Sequence, residues 1–246
     1  AETQALATEI EKKMPGWNNA IRGRIRYFDD VVRNASREGF TRVVILGAGY
    51  DTRAYRIDNL KGCMKIFEID RPETMARKTG IVQQIFGQLP DHVVFIPLDM
   101  AKGDCWQSLA EAGWSPQKTL FLLEGLLMYL PRQAVLDLLA GIARHAGAGS
   151  AVLFDFVPQS LADGSSDAEG GQNIRTWTLG IGEPILSGFN DGEILPFLAG
   201  LGYSNVRSIS SRDFANMYYT GKRADRTVSG LMSLAYATIS DRSERL

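Results

Sequence analysis

Histidine and cysteine are scarce in this chain of 246 residues, which holds only His92, His145, Cys63 and Cys105. A four-ligand zinc site would need all four, and their spacings match no metal-binding pair, so no metal is expected. Two isolated thiols suit a reducing compartment, and the cytoplasm is the expected location. No apolar run approaches the roughly 20 residues that cross a bilayer. The opening segment AETQALATEIEKKM is polar and charged, unlike a signal peptide, and no membrane partner is expected. It lacks an initiator Met, which fits a trimmed N-terminus. Charge of either sign is not in excess: 27 basic and 28 acidic residues leave a formal net charge of -1. A nucleic-acid partner is therefore not expected, because phosphate contacts call for a basic face. A homodimer is compatible with this composition.

What is present is a core and an alternation. Apolar residues make up 45% of the chain, enough for one sizeable domain. Two helical stretches come first, Glu2 to Lys13 and Asn18 to Arg37, separated by Pro15-Gly16. The second places Ile21, Ile25, Phe28 and Val32 at helical spacing. From Thr41 strands and helices alternate. TRVVIL, KIFEID (65–70), VVFIP (93–97), TLFLLE (119–124) and SAVLFDF (150–156) read as strands, with helices from Pro72 and from Pro131 to His145 between them. That rhythm predicts a parallel sheet covered on both faces. The polar stretch 159–172 reads as a mobile loop, either a connector or a lid. A short helix is expected over Asp191 to Leu201, then two more strands, SNVRSIS and NMYY, pairing antiparallel at one sheet edge.

The first strand runs into Gly47-Ala48-Gly49, at the end of the sheet where doubly wound folds bind ligands. Glycine there lets a ligand approach the backbone. The dinucleotide fingerprint needs a third glycine, and Thr52 stands in its place, so a pyrophosphate is disfavoured. The second strand ends in Asp70, 23 residues after Gly47, where an acid can accept from both ribose hydroxyls. NAD sites use the same device, and an acid before Pro72 could instead cap a helix. Glu68 shares its strand face and sits deeper. Adenosine without phosphate points to S-adenosylmethionine (SAM). Asp99, after the third strand, could accept the adenine amino group or be a solvated turn acid. Glu124 follows the apolar run Leu120 to Leu123 and must meet a cation or a donor, either the amino-acid end of a ligand or a structural partner.

Several stretches together resemble the leucine carboxyl methyltransferase family, and within it the bacterial small-molecule and polyketide carboxyl O-methyltransferases. They are RIRYFDD (24–30), VVILGAGYDTRAYRI (43–57), FEIDRPET (67–74), PLDM (97–100), FLLEGLLMYLP (121–131), LFDFV (153–157) and, more weakly, GEPILSGF (182–189). The resemblance implies a class I SAM-methyltransferase fold. This is an α/β Rossmann-like doubly wound sheet, mostly parallel with an antiparallel edge strand and a short N-terminal helical cap. It implies one domain over 1–246: N-terminal helices at 1–38, the SAM-binding core at 41–157, a flexible loop at 158–175, then substrate-side and C-terminal strands. Arg24 corresponds to the arginine on the SAM carboxylate, with Arg26 its near rival. Gly47, Ala48 and Gly49 would line the methionine part, Asp70 the ribose, Asp99 and Met100 the adenine, and Glu124 the amino-acid end. Asp51 and Arg53 would shape the loop through ion pairing. Tyr129 matches an aromatic near the substrate, although packing would explain it equally. The family's longer N-terminal segment supplies a further basic contact, for which Lys12 or Lys13 is available here.

Methyl transfer from a sulfonium needs alignment more than acid–base help. A carboxylate acceptor is already ionised at pH 7 and needs no base. With two histidines, neither in a motif, the expected reaction is O-methylation of a carboxylate or acidic hydroxyl on a small organic molecule, with a polyketide-like acid as the leading case. Methylation of a protein C-terminus and a non-catalytic SAM-binding module are the alternatives.

Overall fold

The computed structural model describes residues 2–240. Helices α1 (Glu2–Lys13) and α2 (Trp17–Ala35) precede β1 (Arg42–Leu46), the one-turn α3 (Arg53–Arg56), β2 (Lys65–Asp70), α4 (Pro72–Phe86) and β3 (Val93–Pro97). Next come α5 (Cys105–Glu111), β4 (Thr119–Leu123), α6 (Arg132–His145), β5 (Ala151–Phe156), α7 (Gln159–Asp163) and α8 (Gly171–Gly180). The chain closes with α9 (Ile194–Gly200), β6 (Tyr203–Ile209), α10 (Ser211–Tyr218) and β7 (Ser233–Ile239). No described helix is long and apolar enough to cross a membrane.

The strands form a seven-stranded sheet in the order β3-β2-β1-β4-β5-β7-β6. β1 pairs parallel with both β2 and β4, and β7 lies antiparallel between β5 and β6. Strand side chains alternate between faces, so each strand feeds two cores. Val43, Ile45, Leu120 and Leu122 meet Phe28, Val32, Ala54 and Ile57 on the face that carries α2 and α3. Val44, Leu46, Phe121 and Leu123 meet Leu109, Val135, Leu139 and Ile142 on the opposite face. After β1 the chain moves to β2 and β3 on one side, and later returns to β4 on the other. That reversal opens a crevice above the ends of β1 and β4. Over this end sits a third cluster, in which Met14 beside α1, Met128, Leu161 of α7, Ile174 of α8 and Ile185 pack together.

Three expectations change. The 158–175 segment, expected as a flexible loop, holds α7 and the start of α8. Pro158 leads α7 with φ -58°, and Gly164 ends it at φ +81°. Leu161 and Ile174 are buried while most of their neighbours face solvent, so the polar composition reflects short helices with one inward residue per turn. NMYY is not a strand but the end of α10. Ser210 and Asp213 form a reciprocal capping box there, which satisfies the first N–H groups and overrides the β preference of the tyrosines. The antiparallel partner of β6 is instead SLAYATI, whose alanines carry little strand signal although Ala235 and Ala237 are wholly buried. On α2 Ile25 is exposed, and the inward face carries Gly23 and Asp29 beside Phe28 and Val32.

Candidate functional site

Above the β1 and β4 ends lies a cavity of about 290 Å3 lined by Arg24, Gly47, Ala48, Gly49, Arg53 and Glu124, among others. Its floor is the glycine turn. Gly47 and Gly49 have φ of +67° and +43°, which a side chain would resist. A Cβ on Gly47 would stand 3.0 Å from Leu126 Cδ1, so a side chain there would have to displace the leucine as well as hold a positive φ. The Ala48 N–H donates to the Ile69 carbonyl at 3.0 Å, and the Asp51 N–H closes the turn onto the Ala48 carbonyl at 2.8 Å.

One wall is a lattice of charge. From α2, Arg24 donates through Nε to Glu124 Oε1 at 2.9 Å and through Nη1 to Asp155 Oδ2 at 2.7 Å. Asp155, wholly buried on β5, also accepts from the Gly125 N–H at 2.6 Å. Arg53 bridges Glu124 Oε2, Asp51 and Asp29 at 2.6, 2.6 and 2.9 Å, and Arg56 grips both oxygens of Asp29 at 2.6 Å. Burial pulls the Arg24 pKa down, but the Asp155 and Glu124 carboxylates more than offset it and its pKa rises. For Asp29 burial pushes upward, and the Arg56 and Arg53 guanidiniums win, holding the carboxyl below its usual range. Arg26, two residues along, points elsewhere: its guanidinium lies 4.6 Å from the Tyr218 ring centroid. Of the two arginines, the structure places only Arg24 in the crevice.

Asp70 closes the far side of the turn. Its Oδ2 accepts from the Gly49 N–H at 2.6 Å and its Oδ1 from the Arg71 N–H at 2.7 Å. The side chain does not cap α4, whose N-cap residue is Arg71 without a side-chain cap bond. Each carboxylate oxygen keeps a lone pair for a further donor. Asp99 and Met100 follow β3, beside Asp70 by the Asp70–Pro97 register. Asp70, Asp99 and Met100 all stand beyond the residues that line the cavity, with Asp70 joined to its floor through the Gly49 N–H. Asp99 is held by Lys102 at 3.1 Å and by the Ala101 N–H, which lower its pKa. Met100 packs against the α5–α6 core. Glu68 is wholly buried below, paired with Lys78 at 2.7 Å; burial pushes its carboxyl up to about 7 against the pull of Lys78.

Tyr129 ends a one-turn 3-10 helix after β4 and packs against the cluster over the crevice. Its hydroxyl pKa is raised, first by burial, then by Glu183 and Asp155, with Arg24 opposing. It is thus a phenol at neutral pH, able to donate. The histidines are elsewhere: His92 Nε2 meets the Ala54 carbonyl at 2.8 Å, and His145 stacks on Trp106. Lys13 pairs with Glu9 on the α1 surface, and Lys12 is exposed beside it. Sequence reasoning missed Asp155 and Asp29. Asp155 interrupts the apolar run of LFDFV, and a carboxylate inside a strand buried on both faces is the signal that could have exposed it.

The arrangement fits an aminoacyl nucleoside such as SAM. Arg24 is available to a carboxylate, Glu124 to an ammonium, the glycine floor to a close-lying chain and Asp70 to ribose hydroxyls.

The sequence model of the leucine carboxyl methyltransferase family matches residues 1–143. Among curated proteins, YktD of Bacillus subtilis, provisionally named as a SAM-dependent methyltransferase, is 27% identical over 200 residues, covering 81% of this chain and 66% of its own length. A Mycobacterium avium protein of the same provisional name is 32% identical over 206 residues, with 81% and 66% covered. The chain spans between 44% and 66% of the length of such relatives. Among solved structures, a provisionally named methyltransferase of Thermobifida fusca superposes with a TM-score of 0.67 at 14% identity, covering 97% of this chain and 88% of its own. The magnesium protoporphyrin IX methyltransferase of Synechocystis, solved with bound SAM, superposes at 0.52 and 13% identity, with 90% and 83% covered. These structures share the fold, and the sheet order and antiparallel edge agree with it. By the match over more than half its length, this chain belongs to the leucine carboxyl methyltransferase family.

Proposed function

We propose that this chain is a SAM-dependent O-methyltransferase that acts on a carboxylate, or an acidic hydroxyl, of a small organic molecule, with a polyketide-like acid as the leading case. The observation that carries the reading is the Arg24–Glu124 pair set over two positive-φ glycines. It offers opposite charges to the two ends of an amino acid. SAM supplies an activated methyl group, whose transfer is an in-line displacement.

The chain's part is to hold its ligands. Arg24 turns toward a carboxylate the guanidinium edge not bonded to Glu124 and Asp155. Glu124 accepts from an ammonium, and Asp70 from the ribose. The apolar cluster around Met14, Met128 and Ile174 packs beyond the same strand ends, and Tyr129 would offer a proton-bearing hydroxyl to an acceptor oxygen. No imidazole stands at the crevice, since His92 and His145 are engaged elsewhere. That supports an acceptor already ionised at neutral pH, because a phenol or alcohol, with a pKa of about 10 or above, would want a base.

The test is methyl transfer from labelled SAM to a panel of carboxylic acids, phenols and short peptides ending in a free carboxylate. The reading expects base-labile methyl ester on the small acids. Transfer only to peptide termini would move the substrate to proteins. No transfer to any class, with SAM bound, would leave a binding module.

A further inference from the structure

Below the glycine turn is a second buried charge pair that the crevice chemistry does not use. Lys78 of α4 is 3% exposed and Glu68 of β2 not at all. The ammonium lies 2.7 Å from Glu68 Oε2 and 3.3 Å from the Ala48 carbonyl oxygen, and 5.9 Å from the centroid of the Tyr55 ring. The Tyr55 hydroxyl donates to Glu68 Oε2 at 3.2 Å. As stability alone, a buried pair is a poor device, since apolar residues of equal volume often serve as well. Its distinguishing feature is the third direction of the ammonium, aimed at the turn.

The Ala48 carbonyl and the Gly49 N–H belong to one peptide plane. Turning that plane changes ψ of Ala48 and φ of Gly49, and the glycine, already at φ +43°, takes up its share at little steric cost. Here both its ends are held. The N–H is bonded to Asp70 at 2.6 Å, and the carbonyl receives Lys78 together with the Asp51 N–H. The orientation of this plane sets the floor of the cavity and the rotamer of Asp70 together.

We propose that Lys78 is a positioning residue for the crevice: seated on Glu68, it locks the Ala48–Gly49 peptide plane and so sets the affinity for the cofactor. This rests on the SAM reading above. The test compares wild type with Lys78→Met, Glu68→Gln and the double variant, by S-adenosylhomocysteine titration, melting temperature and hydrogen exchange at the Gly49 amide. Lys78→Met leaves a buried carboxylate unpaired and lowers the melting temperature. Adding Glu68→Gln removes that carboxylate and restores much of it. The double variant should still bind about tenfold or more weakly, the loss of one charge-assisted hydrogen bond, and its Gly49 amide should exchange faster. Glu68→Gln alone removes the counter-charge and should also lower the melting temperature, but it keeps the ammonium and an acceptor for it, so affinity should stay within about threefold of wild type. A double variant with wild-type affinity and protection, or a Glu68→Gln variant that loses as much affinity as Lys78→Met, overturns the proposal. Wild type that binds no S-adenosylhomocysteine sinks the SAM reading instead, and Gly49 exchange, which needs no ligand, still decides for or against the lock.

Discussion

The two ends of the crevice are built on different plans. At the end assigned to the methionine, three arginines and four carboxylates are joined by contacts of 2.6 to 2.9 Å, drawn from α2, α3, the glycine turn, β4 and β5. At the end proposed for the nucleoside, just beyond the cavity lining, Asp70 takes the N–H groups of Gly49 and Arg71 and Asp99 that of Ala101, and among the described residues the ion pair there is the local Lys102–Asp99 contact. The first end is part of the packing, because Asp155 and Arg53 are buried and every charge leans on another. The second can lose a side chain without leaving a buried charge alone. Substitutions at the methionine end should therefore damage fold and binding together, and those at the nucleoside end binding alone.

The sharpest test of that contrast is Arg24→Ala. It strands Asp155 in the sheet, and removing one member of a buried pair costs about 3–5 kcal/mol. A large fall in melting temperature and loss of S-adenosylhomocysteine binding are expected. Arg26→Ala, on a side chain lying over Tyr218, should leave both nearly unchanged. Next in size is Asp29→Asn, which removes the shared carboxylate of Arg53 and Arg56. Because the folded pKa of Asp29 lies below its unfolded value, its contribution is complete above that unfolded value of about 3.9 and fades as pH falls through the folded one. The stability gap between wild type and Asp29→Asn should be widest near neutral pH and close in acid, measured by denaturant melts across pH. Asp70→Ala comes third, with a loss of about 1–3 kcal/mol in cofactor affinity and little change in melting temperature. An equal fall in stability would erase the distinction between the two ends. Asp99→Ala, partly exposed and locally bonded, should change affinity by less than about threefold.

The same contrast explains what the sequence made legible. Gly47, Asp70 and Glu124 stand at strand ends, and strand ends can be located from apolar runs alone. The arginine register was left open by helical spacing, because Arg24 and Arg26 are both polar positions. Only the packing of α2 against β4 and β5 separates them, with Arg24 meeting Glu124 and Asp155 while Arg26 meets Tyr218. Asp29 and Asp155 stayed hidden because their partners are 24 and 131 residues away. The C-terminal third was read least well. α8 was hidden by polar composition, and β7 by alanine, whose fit depends on its neighbours β5 and β6.

The central claim is that this crevice holds an aminoacyl nucleoside and no dinucleotide. The most direct measurement is calorimetric titration of the purified protein with S-adenosylhomocysteine, with NAD as the control. Saturable binding of S-adenosylhomocysteine and none of NAD is the predicted result. Binding of NAD, or of neither compound, would contradict it.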